Sequence, residues 1–282
     1  MEEYRRMAAV EDQMWFYRAL HAHVERELVT GFGEATGLPV RTQKSSVVEG
    51  TRREGPGSPR EILDAGCGTG GLIRRLETRH PAWTWTGVDV EPLACELAGS
   101  RCTSRIVAGS LTALPFADDA FDAVVCSDVL YHLDDEGGAL REIFRVLRPG
   151  GIVVINVPAH RWLWSYHDVT VHGRRRYERA GLTKILRAAR FEVGQITHWN
   201  TLALPLVVVR RKLLPAPRSG SDVRLYPRPV EALFFTGTRL ENIWLRRVGP
   251  LPFGSSLLAK ARKGALVVSS SAVEPWQQGT EG

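Results

Sequence analysis

Residues 62–70 read Ile-Leu-Asp-Ala-Gly-Cys-Gly-Thr-Gly, and a second acid, Asp89, follows nineteen residues after Gly70. An apolar run ends in Asp64, a glycine turn and a helical stretch follow, and a second apolar segment covers 83–88. This order of strand, turn, helix and strand places both carboxylates at the carboxyl edge of a parallel sheet, where open α/β sheets bind ligands. Because an acid after the second strand suits ribose hydroxyls, the sequence predicts a nucleoside site.

The charge that the ligand carries distinguishes a dinucleotide from other nucleosides at this turn. Gly66, Gly68 and Gly71 also satisfy the dinucleotide pattern G-x-G-x-x-G, so the glycines alone are not diagnostic. A pyrophosphate binds a helix N-terminus without a nearby anion, and Asp64 would repel it. S-adenosylmethionine (SAM) carries a sulfonium and an ammonium and no phosphate, so the same carboxylate attracts it. We therefore expect SAM as the cofactor.

These residues resemble the first motif, D-x-G-x-G-x-G, of class I SAM-dependent methyltransferases. The segments 109–116, 121–127 and 148–151 are similar, in order, to the third cofactor loop, strand four and the turn before strand five of that family. The resemblance implies a Rossmann-like, seven-stranded, mostly parallel α/β sheet with an antiparallel last strand. It also implies these cofactor-binding residues: Asp64, Gly66, Gly68, Gly70, Asp89, Val90, Ser110, Leu111 and Ser127.

One residue departs from the family pattern. Ser110 stands where the family usually has an acid that accepts a hydrogen bond from the adenine amino group. A hydroxyl accepts that bond without charge assistance, so we expect a weaker contact.

A narrower resemblance covers the flanks. Residues 11–18, 157–168, 175–177 and 251–258 are similar to a bacterial small-molecule methyltransferase subgroup of the type 11/12 kind. The subgroup is poorly defined in substrate, so this resemblance implies little about specificity.

The pattern predicts six regions along the chain. They are an N-terminal helical lid (1–30), a glycine-rich linker loop (31–60), a SAM-binding core (61–201), a cap insertion (202–253), the last strand of the core (254–268) and a tail (269–282). The lid shows three-to-four spacing of apolar residues, and the cap is far longer than a hairpin loop.

The candidates for catalysis follow strands four and five. His132 and His167 each have an unperturbed pKa suited to a general base, should the acceptor have to lose a proton. The candidate substrate contacts are Tyr17, Tyr131, Trp164, Arg175 and Tyr177. In alternative interpretations, His132 bonds only backbone or water, His167-Asp168 pairs with one of residues 175–177 to order a loop, and the tryptophans belong to the core. A zinc site at 160–172 matches no common metal motif, so no metal is expected.

Composition restricts the partners. The 282 residues are 44% hydrophobic and 24% charged, with a net charge of +6. Basic residues cluster in 174–190 and 208–263 with few interleaved aromatics, which disfavours a nucleic-acid partner. The N-terminus lacks the apolar core of a signal peptide and the four cysteines show no paired spacing, so we expect a cytoplasmic protein.

An apolar run at 202–209 precedes three cations at 210–212. This pattern fits a peripheral membrane contact, a buried cap segment or a homodimer face.

The sequence therefore predicts methyl transfer to a small-molecule acceptor, such as a hydrophobic, natural-product or lipid-linked metabolite. An RNA methyltransferase is the alternative enzyme, although no Asn/Asp-Pro-Pro-Tyr signature follows strand four. A non-catalytic SAM-binding regulatory protein is the alternative from another class, which the intact Asp64 and Asp89 disfavour.

Overall fold

The computed structural model describes residues 2–33, 59–216 and 222–264. Its centre is a seven-stranded sheet in the order β3-β2-β1-β4-β5-β7-β6. The strands are β1 Arg60–Ala65, β2 Trp83–Asp89, β3 Arg105–Ala108, β4 Phe121–Ser127, β5 Leu147–Pro158, β6 Phe191–Trp199 and β7 Ser256–Lys263. β7 runs antiparallel to both of its neighbours, and the other neighbouring pairs are parallel. The predicted fold class is confirmed.

The sheet separates two apolar cores, because successive strand residues point to opposite faces. Leu63, Val124 and Val153 belong to one core, whereas their chain neighbours Ile62 and Ala123 belong to the other. The strands are therefore buried on both sides and read as continuous apolar runs in the sequence.

Helices cover both faces of the sheet. In the described ranges they are α1 Glu2–Val10, α2 Trp15–Gly31, α3 Gly71–Arg79, α4 Pro92–Arg101, α5 Glu136–Val146, α6 Tyr166–Thr170, α7 Arg179–Ala188, α8 Leu204–Val208 and α9 Arg228–Arg247. Short 3-10 turns cover Leu130–His132 and Arg161–Leu163, and a π-helical turn covers Val209–Leu213. α2 and α3 pack on one face, and α5 and α7 pack on the other.

The expected single helix over 1–30 is two helices. The chain breaks between Val10 and Trp15, where Met14 adopts an extended conformation. The break lets the backbone N–H of Trp15 donate to Glu231 of α9 at 2.6 Å. A tertiary contact thus outweighs the local helical pattern.

The predicted turn at 148–151 is also wrong, because these residues lie inside β5. Their pairing with β4 is irregular between Phe121 and Ala123, and Gly150 has a φ of 79°. The extra residues of β5 form a bulge at the beginning of the strand. Most of the predicted linker (34–58) and the whole predicted tail lie outside the described residues.

Candidate cofactor and acceptor site

A cavity of about 980 Å³ lies at the carboxyl edge of β1, β2, β4 and β5. The N-terminal part of the chain lines the cavity through α1 and α2, and the C-terminal part lines it through α8 and residues 222–234. Because the strands are parallel, the residues that follow them converge on this edge. We call the end of the cavity near the glycine turn the donor end and the end near α8 the acceptor end.

The glycine turn at the donor end needs residues without a Cβ. Gly66 has a φ of 88°, and a Cβ there would stand 2.2 Å from Val129 Cγ2. The backbone N–H of Gly68 donates to Asp89 Oδ2 at 2.9 Å, which ties the turn to the end of β2. The turn is thus held open for a ligand to lie on its backbone.

Asp64 lies at the floor of the donor end and is 3% exposed. Its carboxylate accepts no hydrogen bond from any residue in the described ranges. Burial, with the nearby acids Asp89 and Glu11, raises the pKa of Asp64 to about 8. A buried acid without a partner fits a cationic ligand group, and the ammonium and sulfonium of SAM supply one. The donor end therefore fits SAM on charge.

Further predicted cofactor residues line the same end. Asp89 accepts from the backbone N–H of Glu91 at 3.0 Å, Leu111 is buried, and Val90 is 71% exposed at the rim. The Ser127 hydroxyl is buried and has no hydrogen-bond partner among the residues described. Ser110 also lines the cavity, but its hydroxyl bonds the Thr112 hydroxyl at 2.8 Å. Its predicted bond to adenine would have to compete with this local contact.

Gly70 is the exception among the predicted cofactor residues, because it does not line the cavity. It begins α3 with a φ of 79°, and a Cβ there would stand 2.6 Å from Cys102 Sγ and 3.1 Å from Ala98. Gly70 therefore serves the packing of α3 on α4.

Helix α1 closes the donor end from above. Tyr4 and Met7 line the cavity, and Met7 Cε comes within 2.8 Å of the position a Gly68 Cβ would take. After α1, Glu11 accepts from the Thr69 hydroxyl at 2.6 Å and pairs with Arg101. The N-terminal segment is thus tied to the glycine turn itself.

At the acceptor end, His132 lines the cavity beside Tyr131. Its Nδ1 lies 3.3 Å from the carbonyl oxygen of His172, and a carbonyl only accepts, so Nδ1 carries the proton. Burial lowers the pKa of His132, which keeps the ring neutral. Nε2 then holds a lone pair, as a general base requires.

His167 also lines the cavity, but its geometry does not suit a base. Its Nδ1 accepts the backbone N–H of Asp222 at 3.3 Å, so in the neutral ring Nε2 is protonated. Burial and the charge of Arg211 lower the pKa of His167 to about 4. Neither nitrogen offers a free lone pair, and the ring instead fixes Asp222.

Three predicted substrate contacts do not line the cavity. Tyr177 is buried in the core and donates to Glu136, which also pairs with Arg175 at 3.1 Å. The Trp164 side chain is 36% exposed, and its carbonyl oxygen accepts from Lys212. Tyr17 and Tyr131, by contrast, do line the cavity.

Two polar residues of the cavity wall were not among the predicted site residues, although Arg176 was one of the three candidates for pairing with Asp168. Asp128 follows β4 with a φ of 54° and accepts from Asn156 Nδ2 at 3.0 Å, and burial raises its pKa to about 7. Arg176 is buried, and its Nε donates to Asp168 at 2.8 Å. The position of Asp128 directly after a predicted strand was an available signal, whereas nothing local distinguishes Arg176 from Arg175.

Comparisons with known proteins find similarity to methyltransferases. Residues 63–155 match the family model described as a methyltransferase domain. A malonyl-[acyl-carrier protein] O-methyltransferase of Dechloromonas aromatica is 38% identical over 119 residues, which are 41% of this chain and 44% of that protein. A demethylmenaquinone methyltransferase of Thermus thermophilus is 36% identical over 107 residues, 36% of this chain and 49% of that protein.

The chain spans about half the length of these curated relatives or less. A SAM-dependent methyltransferase of Thermotoga maritima is similar in structure, with a TM-score of 0.53 at 16% identity, covering 93% of this chain and 95% of that one. This likeness concerns the fold. Within the described residues no group of three or more His, Cys, Asp or Glu side chains is arranged to hold a metal ion, and no helix is long and apolar enough to cross a membrane.

Proposed function

We propose that this chain transfers a methyl group from S-adenosylmethionine to a small-molecule acceptor bound at the α8 end of the cavity. The match of residues 63–155 to the methyltransferase-domain model supports this proposal. The observation that carries it is the unpartnered, buried Asp64, which precedes the glycine turn and lies near Asp89. The bound cofactor supplies a methyl group that its sulfonium activates.

In this proposal the donor end binds and orients. Asp64 compensates the cationic part of the cofactor, Asp89 holds the ribose side, and Leu111 and Val90 border the base. Helix α1 and the residue after it exclude water by closing over the glycine turn, through Met7 in α1 and Glu11 beyond its end. Placing both reactants in near-attack geometry accounts for much of the rate enhancement.

His132 is the base when the acceptor is a hydroxyl or another group that must lose a proton. Nδ1–H is held by the His172 carbonyl, so Nε2 is free to take the proton of the acceptor hydroxyl. The cofactor would supply the methyl group to that oxygen with loss of its methyl–sulfur bond and would leave as a neutral thioether. An amine or an electron-rich carbon would need no base at this stage. Tyr17 and Tyr131 border the same space.

The acceptor end is largely apolar, which supports a hydrophobic acceptor. Its apolar side chains come from distant parts of the chain: Trp15, Phe16, Leu206, Val207, Leu214 and Phe234. The buried Arg176, whose Nη2 has no partner in the described ranges, is placed to bind a polar group on the acceptor. Relatives named for a demethylmenaquinone or a malonyl-carrier substrate are consistent with such acceptors.

Titration calorimetry with SAM, S-adenosylhomocysteine and a nicotinamide dinucleotide tests the cofactor assignment. We expect binding of the first two at micromolar strength and none of the third. Isotope-labelled SAM incubated with fractionated small-molecule extracts then tests transfer. Clear binding of the dinucleotide without binding of SAM would refute the assignment.

The alternatives give different outcomes in the same assay. Label recovered in RNA and not in small molecules would favour an RNA methyltransferase. SAM binding without transfer to any fraction would favour a non-catalytic regulatory protein. A homodimer and a membrane contact through residues 202–212 stay predictions.

A further inference from the structure

The segment 202–253 has an unusual surface. Of sixteen large apolar side chains that are exposed among the described residues, twelve lie in these 52 residues. By sequence the segment holds nine basic and three acidic residues, a net charge of +6 that equals the charge of the entire chain. Exposed apolar area combined with positive charge is typical of surfaces that bind another molecule.

Helix α9 has a buried face and a separate, exposed apolar face. Thr238, Glu241 and Leu245 are buried, and α9 packs against α2 on that side. The opposite side bears Leu233, Leu240 and Trp244, which are 70%, 57% and 49% exposed, at spacings of seven and four residues. This exposed stripe is what a helix lying in a membrane interface presents.

Cations flank the stripe. Arg239, Arg246 and Arg247 are exposed, and no acid pairs with them in the part of the chain that the structure describes. The three acids of the segment are engaged elsewhere: Glu231 accepts from the Trp15 N–H, Glu241 from the N–H groups of Asn200 and Leu202, and Asp222 pairs with Arg211. The positive charge of Arg239, Arg246 and Arg247 is therefore uncompensated, whereas Asp222 partly offsets that of Arg210 and Arg211.

The cavity opens on this same surface. Leu206 and Leu214 line the cavity and are also 51% and 52% exposed, so they form its mouth. Leu202, which is exposed as well, lies 3.3 Å from the position a Gly237 Cβ would take, beside the stripe of α9. The stripe and the mouth are thus parts of one continuous apolar surface.

We propose that the apolar and basic surface formed by α8, the turn Val209–Leu213 and α9 docks the protein on an anionic lipid bilayer. The cavity mouth then faces the acyl region, and an apolar acceptor dissolved in the bilayer reaches the cavity without crossing water; this last step rests on the proposed function. A symmetric dimer through the same surface would bring two like-charged segments together, which costs Coulomb energy.

Vesicle co-sedimentation of the full chain tests the docking without any methyl transfer. Vesicles of phosphatidylcholine with about one third phosphatidylglycerol should bind the protein at low salt, and pure phosphatidylcholine vesicles should bind it far more weakly, because each cation near an anionic surface contributes about 1 kcal/mol. Added salt should weaken the binding. No sedimentation with anionic vesicles at low salt would overturn the proposal.

Two variants assign the binding to this surface. Leu233→Ser with Leu240→Ser, and separately Arg239→Gln with Arg246→Gln, should each weaken vesicle binding on the order of tenfold or more. The matched control is Lys184→Gln with Arg187→Gln on α7, which packs on the other face of the sheet. All of these positions are exposed, so the substitutions should not disturb the core. SAM affinity is measured for each variant, and an unchanged value shows that the fold is intact.

If the control variant and the arginine variant lost vesicle binding equally, the net charge of the protein alone would explain the binding. That result would overturn the proposal. Light scattering that shows a dimer of the native chain, abolished by Leu233→Ser with Leu240→Ser, would also overturn it by assigning the surface to a second copy. A chain that docks but transfers no methyl group would contradict the proposed function and leave the docking intact.

Discussion

The two ends of the cavity differ in how they are assembled and in their charge. The donor end comes from consecutive strand ends between Asp64 and Leu111, and its acids Asp64 and Asp89 face no cation within the described ranges. The acceptor end comes from segments far apart in sequence, and its acids Asp168 and Asp222 pair with Arg176 and Arg211. An acid without a protein cation nearby can pair with a cationic group of a ligand. An acid that is already paired with an arginine stabilises the protein itself.

This difference predicts that the two ends can be disabled separately. Substitutions at the donor end should change SAM affinity, and substitutions at the acceptor end should change turnover with SAM affinity intact. Four experiments test whether the two ends act independently.

The largest effect is expected at the acceptor end. His132→Ala should lower turnover on the order of 10²–10⁴-fold with an acceptor that must be deprotonated, because the free Nε2 is lost. The measurement is single-turnover transfer of labelled methyl together with calorimetric SAM affinity, which should not change. Because burial lowers the pKa of His132, the native activity should persist at a pH below that expected for an ordinary histidine.

His167→Ala is the matched histidine control and should cost only a few-fold in turnover. If neither substitution slows transfer beyond that, catalysis proceeds by positioning alone, and an amine or an electron-rich carbon becomes the better acceptor.

The next effect lies at the donor end. Asp89→Ala should weaken SAM binding roughly 10- to 150-fold, corresponding to about 1.5–3 kcal/mol for hydrogen bonds to a charged group. The carboxylate also holds the N–H of Gly68, so the glycine turn loosens as well. Calorimetry gives the affinity, and Arg211→Gln is the control, since it lies at the acceptor end and should leave SAM affinity unchanged. A comparable loss in both variants would contradict the separation of the two ends.

Removing residues 1–10 should give a smaller loss, because α1 has no buried residue and covers the donor end without belonging to the core. Turnover should fall roughly tenfold, the equivalent of about 1.4 kcal/mol of lost ordering and water exclusion. Urea denaturation should show little change in the free energy of unfolding. The contrast is Leu28→Ala in α2, a fully buried position that should cost about 2–5 kcal/mol of stability. Full activity after the truncation would exclude a lid role for α1.

The smallest effect concerns the stability of the ligand-free protein. The pKa of Asp64 is raised to about 8, so the folded state retains a proton that the unfolded chain loses near its ordinary value of about 4. Stability at this site therefore falls as pH rises from about 4 to 8. Asp64→Asn should remove that dependence and raise the Tm near pH 8 while weakening SAM binding. A Tm for Asp64→Asn that is lower at every pH would show that the carboxylate is structurally required.

At the donor end, spacing along the chain is enough to bring the candidate cofactor residues together. Asp64 lies at the end of β1, Gly66 has a positive φ, and Asp89 ends β2, which pairs with β1. The fold class follows from the same alternation of strands and helices. Gly70 does not line the cavity, because the motif does not distinguish a glycine that faces the cavity from one that packs against α4.

At the acceptor end, the placement of the candidate residues depends on contacts between distant segments. Arg175 and Arg176 are neighbours with the same chemistry, yet Arg176 lines the cavity and pairs with Asp168, whereas Arg175 pairs with Glu136. The Nδ1 lone pair of His167 is occupied by the N–H of Asp222, which is 55 residues away in sequence. The break before Trp15 likewise depends on Glu231. Such pairings have no local signature.

The strand pairing at the base of the inserted segment has a consequence for how acceptor choice can evolve. Trp199 and Ser256 are direct partners across β6 and β7, and Asn200 Nδ2 donates to Ser255 at 2.7 Å, so the chain leaves and re-enters the sheet at one point. A hairpin loop of about two to five residues would join the same two strands. We therefore expect that residues 201–254 can be replaced by another insert without altering the register of the sheet, provided the new insert again packs on Trp15.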